Sequence, residues 1–161
     1  MRKSLATSSA RLLATLVCAI PIVAGTASAA HADAPVTKVY NDCKNGAWST
    51  CFYYNSNGAG ATGGFGSSIE DLLGSYYYCG AAEGDGCLDE YAFTDGSGSG
   101  DPIKNNAASV ADGFYDSSQY VYYNSDYAGP YQTITPNDGN PTNLNSTLKN
   151  EDASLWAVPD D

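Results

Sequence analysis

The chain is predicted to form an all-β single domain assembled from two copies of one unit, and three observations carry that prediction. Apolar and aromatic residues come in short bursts separated by Gly, Asn, Asp and Ser, the punctuation of strands and turns rather than the periodicity of helices. The eight residues Tyr53-Tyr54-Asn55-Ser56-Asn57-Gly58-Ala59-Gly60 recur as Tyr122-Tyr123-Asn124-Ser125-Asp126-Tyr127-Ala128-Gly129, with six identical. A second element, Lys104-Asn105-Asn106-Ala107-Ala108-Ser109, returns as Lys149-Asn150-Glu151-Asp152-Ala153-Ser154 and shares Lys-Asn-x-x-Ala-Ser. A repeat of this length, with one aromatic-to-glycine motif per copy, indicates two supersecondary units packed on each other.

Residues 1–32 read as a signal peptide. Arg2, Lys3 and Arg11 precede the apolar run Leu12 to Ala24, and small residues offer cleavage after Ala29 or Ala32. The run is shorter than the roughly 20 apolar residues that span a bilayer, so export is expected and anchoring is not. Residues 33–41 form an N-terminal segment, and residues 42–160 the domain.

Along the domain, strands are expected at Val36 to Tyr40, Ser49 to Tyr54, Ala108 to Asp112, Gln119 to Tyr123, Tyr131 to Thr135 and Ala153 to Val158. Tyrosine supplies much of their bulk, its ring suiting a pleated face while its hydroxyl stays wet. The stretch Ser67-Ser68-Ile69-Glu70-Asp71-Leu72-Leu73-Gly74 has the grammar of a short capped helix, with a serine before acids, an apolar pair and a closing glycine. Cys79 to Lys104 is rich in glycine, acid and serine and reads as an irregular excursion, with Gly96 to Gly100 its most mobile part. The two repeated elements are 51 residues apart in the first unit (Tyr53 to Lys104) and 27 in the second (Tyr122 to Lys149). One insertion, at about 75–101, therefore separates unit one (about 43–112) from the pattern of unit two (about 113–159).

Composition narrows the function. All 18 acidic residues follow Ala32, against four lysines and no arginine, so the mature chain carries a net charge of −14. Such a surface repels phosphate backbones and anionic membranes, leaving cations and basic proteins as partners. Cys43, Cys51, Cys79 and Cys87 form an even set in a chain bound for an oxidising compartment. Four cysteines permit three connectivities, and the repeated spacing of eight favours Cys43–Cys51 with Cys79–Cys87. A zinc site is the alternative, weakened by the lack of histidine after Ala32 and by spacings foreign to the common zinc modules.

The aromatic-x4-aromatic-x-glycine pattern of Tyr122, Tyr127 and Gly129, matched at Tyr53 and Gly60 with Gly58 in place of the second aromatic, resembles the Greek-key motif of the βγ-crystallin superfamily. An aromatic packs into the bend of a folded hairpin there, and glycine takes a backbone conformation that a Cβ opposes. The resemblance implies a sandwich of two Greek-key motifs, to which the reading above adds one short helix and a disulfide-stapled loop excursion. Cys43-Lys44-Asn45-Gly46-Ala47-Trp48-Ser49-Thr50-Cys51-Phe52-Tyr53 is also similar to secreted actinobacterial metalloproteinase inhibitors. That likeness implies an inhibitor that blocks a protease cleft with a rigid loop near Cys43–Cys51 or Cys79–Cys87, preorganised by its disulfide.

The superfamily's calcium clamps are resembled by Asn105, Asn106 and Ser109 in one unit and by Asn150, Glu151 and Ser154 in the other, with Val110 and Leu155 where a further serine often stands. The competing role for these Asn and Ser side chains is to satisfy backbone groups at the start of a strand. Ca2+ is thus the one cofactor the resemblance implies, and a calcium-binding or structural extracellular protein is the alternative function. No enzyme is expected: nucleophiles lack a histidine base after cleavage, and the adjacent acids Glu70 with Asp71 and Asp89 with Glu90 read as solvated. Tyr76, Tyr77, Tyr78, Tyr120, Tyr122 and Tyr123 could supply a carbohydrate- or protein-binding face. Neither nucleic acid nor membrane is an expected partner; an extracellular protease is, and the chain is expected to be a monomer.

Overall fold

A computed structural model of the chain describes residues 34–43, 49–80, 86–114 and 116–158. The expected signal peptide and the tips of both cysteine loops, 44–48 and 81–85, lie outside the described residues.

Two of the sheets repeat each other. In the first, β2 (Thr50–Tyr53) lies between β3 (Thr62–Phe65) and β6 (Ser109–Asp112), all antiparallel. In the second, β7 (Gln119–Asn124) lies between β8 (Ala128–Ile134) and β10 (Ser154–Ala157). The registers correspond residue for residue: Tyr53 faces Thr62 and Ser109 as Tyr122 faces Tyr131 and Ser154, and Phe52 faces Val110 as Val121 faces Leu155. Each sheet is then completed by the other unit. β9 (Pro141–Asn143) pairs with β6 through Thr142 and Val110, and Ile69 forms the matching bridge to Leu155. The product is the expected all-β sandwich of two Greek keys, joined by exchange of their third segments.

Strand alternation sends one set of side chains inward. Phe52 and Val121, Phe65 and Ile134, Val110 and Leu155, and Ile103 and Leu148 occupy equivalent positions in the two copies and are buried together in one core. Each such side chain contributes about 1.5–3 kcal/mol by leaving water. Leu72 and Leu144 form a further equivalent pair, donating their N–H groups to the Ala153 and Ala108 carbonyls, Phe93 joins from the insertion, and Tyr91 packs edge-on against Phe65 with ring centroids 5.1 Å apart.

Three expectations are corrected. Ser67 to Gly74 is not a helix, and the only helical turn among the described residues is a 3-10 turn at Ser56–Gly58. Ile69 exchanges backbone hydrogen bonds with Leu155, Leu72 N–H donates to the Ala153 carbonyl, and the Ser68 hydroxyl bonds Ala157 across the sheet. Pairing across the sandwich thus captures the donors that a local helix would have used. Second, the excursion contains a strand: β5 (Gly86–Ala92) runs antiparallel to β4 (Gly74–Tyr78), just before the excursion, and pairs in parallel with β1 (Val36–Tyr40). Third, Gly96 to Gly100 is held in place, with Ala61 N–H donating to the Ser97 carbonyl and Gly100 N–H to the Phe93 carbonyl.

Both disulfides take the local connectivity, Cys43–Cys51 and Cys79–Cys87, with Cα separations of 5.8 and 5.7 Å. The second staples the β4–β5 hairpin. The first lays residues 41–43 over the outer side of β3, where Gly64 N–H donates to the Asn41 carbonyl and a Cβ at Gly64 would stand 3.0 Å from the Cys43 sulfur.

Two glycines of the 96–100 segment separate backbone from packing effects. Gly98 (φ +93°) would drive a Cβ into the Tyr54 ring, whereas Gly100 (φ +91°) faces open space. Gly100→Ala should cost about 1–2 kcal/mol for the left-handed backbone alone, and Gly98→Ala about 1–3 kcal/mol more from overpacking. Urea unfolding of the two variants, compared at unchanged m-value, measures the difference.

Candidate functional site

The two folded hairpins are closed by the same device. Asn57 and Gly58 in one, and Asp126 and Tyr127 in the other, take left-handed backbone angles between 57° and 69° in φ. The turn ends on Gly60 (φ +82°) or Gly129 (φ +81°), where a Cβ would lie 2.7 or 2.6 Å from the Asn55 or Asn124 amide nitrogen. Ser109 Oγ accepts from Gly58 N–H (3.0 Å) and donates to the Asn55 carbonyl (2.7 Å). Ser154 Oγ accepts from Tyr127 N–H (3.1 Å) and donates to the Asn124 carbonyl (2.7 Å). Both serines are fully buried, with their bonding directed at the hairpins. Tyr53, Gly60, Tyr122, Tyr127 and Gly129 all lie in these two hairpins.

The loops before β6 and β10 cross. Asn105 (φ +61°) donates its N–H to the Asp152 carbonyl, and Asn150 (φ +60°) donates to the Ala107 carbonyl, each at 2.8 Å. The lysines that open these loops reach over to the opposite hairpin: Lys104 Nζ lies 2.9 Å from Ser125 Oγ, and Lys149 Nζ 3.0 Å from Ser56 Oγ. Lys104 also pairs with Asp71 at 2.9 Å. A depression of about 480 Å³ is lined by Asn55, Ser56, Asn106, Lys149 and Asn150.

Two of the oxygen donors expected for calcium already have other partners. Calcium takes about six to eight oxygens, whereas the Ser109 and Ser154 hydroxyls each already accept one hydrogen bond and donate another within the hairpins. Val110 and Leu155 are core side chains, so no hydroxyl at those positions would face the loop. A cation bound to Ser125 or Ser56 would meet an ammonium within about 4 Å, a repulsion of about 2–8 kcal/mol for a double charge. Among the described residues, no group of three His, Cys, Asp or Glu side chains is placed to hold a metal.

The second sheet carries a feature that the first lacks. Tyr120 and Tyr122 on β7, Tyr131 on β8, Trp156 on β10 and Tyr127 from the hairpin form one ring cluster on its outer face, with centroid spacings of 5.3 to 6.4 Å. Trp156 is 49% exposed and Tyr131 56%. The equivalent positions of the first sheet hold Cys51, Tyr53, Thr62, Ala111 and Gly58, so the fold itself does not require rings there. Beside Tyr127 lies a depression of about 450 Å³ lined by Ser68, Glu70, Asp71, Tyr76 and Asp126. Burial raises the Tyr127 hydroxyl pKa above its ordinary value, and the charges of Glu70 and Asp126 raise it further.

Other sequence candidates are dispersed. Asp89 and Glu90 are successive residues of β5 and point to opposite faces, with Glu90 paired to Lys38. Asp71 accepts the Leu73 N–H and pairs with Lys104. Tyr76, Tyr77 and Tyr78 lie exposed on β4, apart from the ring cluster except where Tyr76 lines the acidic depression. Sequence reasoning missed Tyr131 and Trp156 as partners of Tyr120, because only the register of three strands brings them together.

No protein-family model matches this chain, and no curated protein matches it. A solved structure described as "Evolution of the eye lens beta-gamma-crystallin domain fold" is similar at a TM-score of 0.46 and 10% identity, over 76% of this chain and 94% of that one. The assignment of the fold to two Greek keys stands on the strand exchange and the serine-closed hairpins of this chain.

Asp152 is the ionisable group most perturbed by the crossed loops. It is fully buried, Oδ1 accepts the Ala107 N–H at 3.0 Å, and Oδ2 has no hydrogen-bond partner among the described residues. Burial pushes its carboxyl from 3.8 up to about 8, against the bond from Ala107. The folded state therefore keeps a proton that the unfolded chain has already lost, and stability falls as pH rises through that window. Wild type should lose about 1.4 kcal/mol per pH unit between about pH 4 and 8 relative to Asp152→Asn, and nothing further above it. Paired urea titrations across pH 4 to 9 read this difference.

Proposed function

We propose that the chain is a non-catalytic, crystallin-like binding domain that works outside the cell and docks a basic protein surface on the outer aromatic face of its second sheet. The contrast between the copies carries this reading: Tyr120, Tyr131 and Trp156 stand where the first sheet has Cys51, Thr62 and Ala111. Half-exposed Tyr and Trp rings at the centre of a patch are the residues that dominate protein interfaces. Glu70 and Asp126 at its edge, and the net charge of the mature chain, favour lysine and arginine on the partner, which tyrosine and tryptophan faces also attract. A secreted proteinase is the partner class that the inhibitor resemblance supplies. The loops first suggested for inhibition have their tips outside the described residues, so the aromatic face is the surface to test.

Stoichiometric protein should lower the activity of at least one enzyme in a panel of thermolysin-like metalloproteinases, and Tyr131→Ala/Trp156→Ala should weaken that effect by about tenfold or more. Because both rings are half-exposed, the double variant should melt within a few degrees of wild type. An unaffected panel removes the proteinase partner. If a lysine-rich peptide evokes no salt-sensitive fluorescence response that Trp156→Ala abolishes, the basic-surface reading falls as well and a structural domain remains.

A further inference from the structure

We infer that Lys104 and Lys149 act as tethered cations in the two crossed loops, so that this domain joins its units with its own ammonium groups and without a divalent ion. The argument begins with equivalence. Lys104 and Lys149 open the same repeated element, and Ser125 and Ser56 close the Tyr-Tyr-Asn-Ser of the same repeated hairpin. Each lysine meets the serine of the opposite unit, at 2.9 and 3.0 Å. The two most informative repeats in the sequence thus meet each other in space, twice, and the group that crosses is a positive charge both times.

The neighbouring oxygens fit this role. Asp71 gives Lys104 a carboxylate at 2.9 Å, and Asn55, Ser56, Asn106 and Asn150 surround the depression beside Lys149 with neutral amides and hydroxyls. A single charge on a flexible stem is satisfied by a few such acceptors, where a divalent ion needs several more at short range. The crossed backbone bonds of Asn105 and Asn150 fix the start of each lysine stem relative to the hairpin it reaches. Lys104 should contribute more than Lys149, because its ion pair is partly buried while the Lys149 contact is exposed.

Melting of the purified, oxidised wild-type chain in EDTA and in 5 mM CaCl2 tests the inference, since an ion bound only to the folded state must raise the melting temperature. The expected result is a shift within about 1 °C; a saturable rise of more than about 3 °C overturns the inference. Lys104→Asp places a second carboxylate beside Asp71 and removes the ammonium. This variant should acquire a calcium-dependent rise of about 3 °C or more, and its indifference to calcium overturns the claim that the ammonium holds the cation's place. Should Lys104→Asp fail to fold, Lys104→Met keeps the stem without the charge. A melting temperature about 3–6 °C below wild type in EDTA supports the tethered cation, and an unchanged one overturns it.

Discussion

The fold depends on two buried hydroxyl groups. Ser109 and Ser154 each receive a backbone N–H from a turn in left-handed conformation and return a proton to a carbonyl at the start of the same turn. Without that reciprocal pair, each hairpin would lose two partly buried hydrogen bonds, at about 0.5–1.5 kcal/mol apiece. Because the serines begin β6 and β10, closing the hairpin also fixes the register of the strand that pairs beside it. Val110 and Leu155 follow directly, and alternation then points them into the core.

The union of the two units is a consequence of the same loops. Residues 105–107 and 150–152 exchange hydrogen bonds across the sandwich, and β9 and Ile69 leave their own unit to finish the other's sheet. Neither copy retains a complete sheet alone, so the domain is expected to unfold as one cooperative body. Within the crossed loops, symmetry is broken at one buried point: Asp152 occupies the position of Ala107 and adds a side-chain bond to the Ala107 N–H. That carboxyl strengthens one crossing while placing an ionisable group in the least hydrated part of the molecule.

Much of this was legible in the sequence, and the reasons for the misses are physical. Duplicated hairpins, their glycines and the local disulfides are encoded by neighbouring residues, and so could be read directly. The segment Ser67 to Gly74 deceived because its helix-capping residues are real signals with a different use: Asp71 caps a turn at Leu73, and Ser68 bonds Ala157. Strand β3 was hidden by Gly63 and Gly64, which are required by close approach of Ile103 and Cys43 and not by any strand preference. Strand β5 was hidden by the glycines and acids around it, and its identity is set by parallel pairing to β1, a contact no local pattern announces. The aromatic face was partly visible as a count of tyrosines, but its membership depends on register across β8, β7 and β10.

Duplication supplies an internal control for what the remaining residues are for. Positions alike in both copies, such as the closing serines, the hairpin glycines and the paired core, answer to the fold. Positions that differ are free of that demand. Tyr127 keeps a bulky side chain at φ +57°, where its counterpart Gly58 relaxes the same backbone; a left-handed non-glycine residue costs about 1–2 kcal/mol. Its ring packs on Tyr122 and Trp156, anchoring the patch that the first sheet does not have. In the first copy the corresponding surface is instead covered by residues 41–43 and the Cys43–Cys51 bridge. One face of the sandwich is thus closed by its own chain while the other presents rings to solvent. An unstrained alternative stands in the same molecule, and the cost at Tyr127 is offset by the ring contacts it makes with Tyr122 and Trp156.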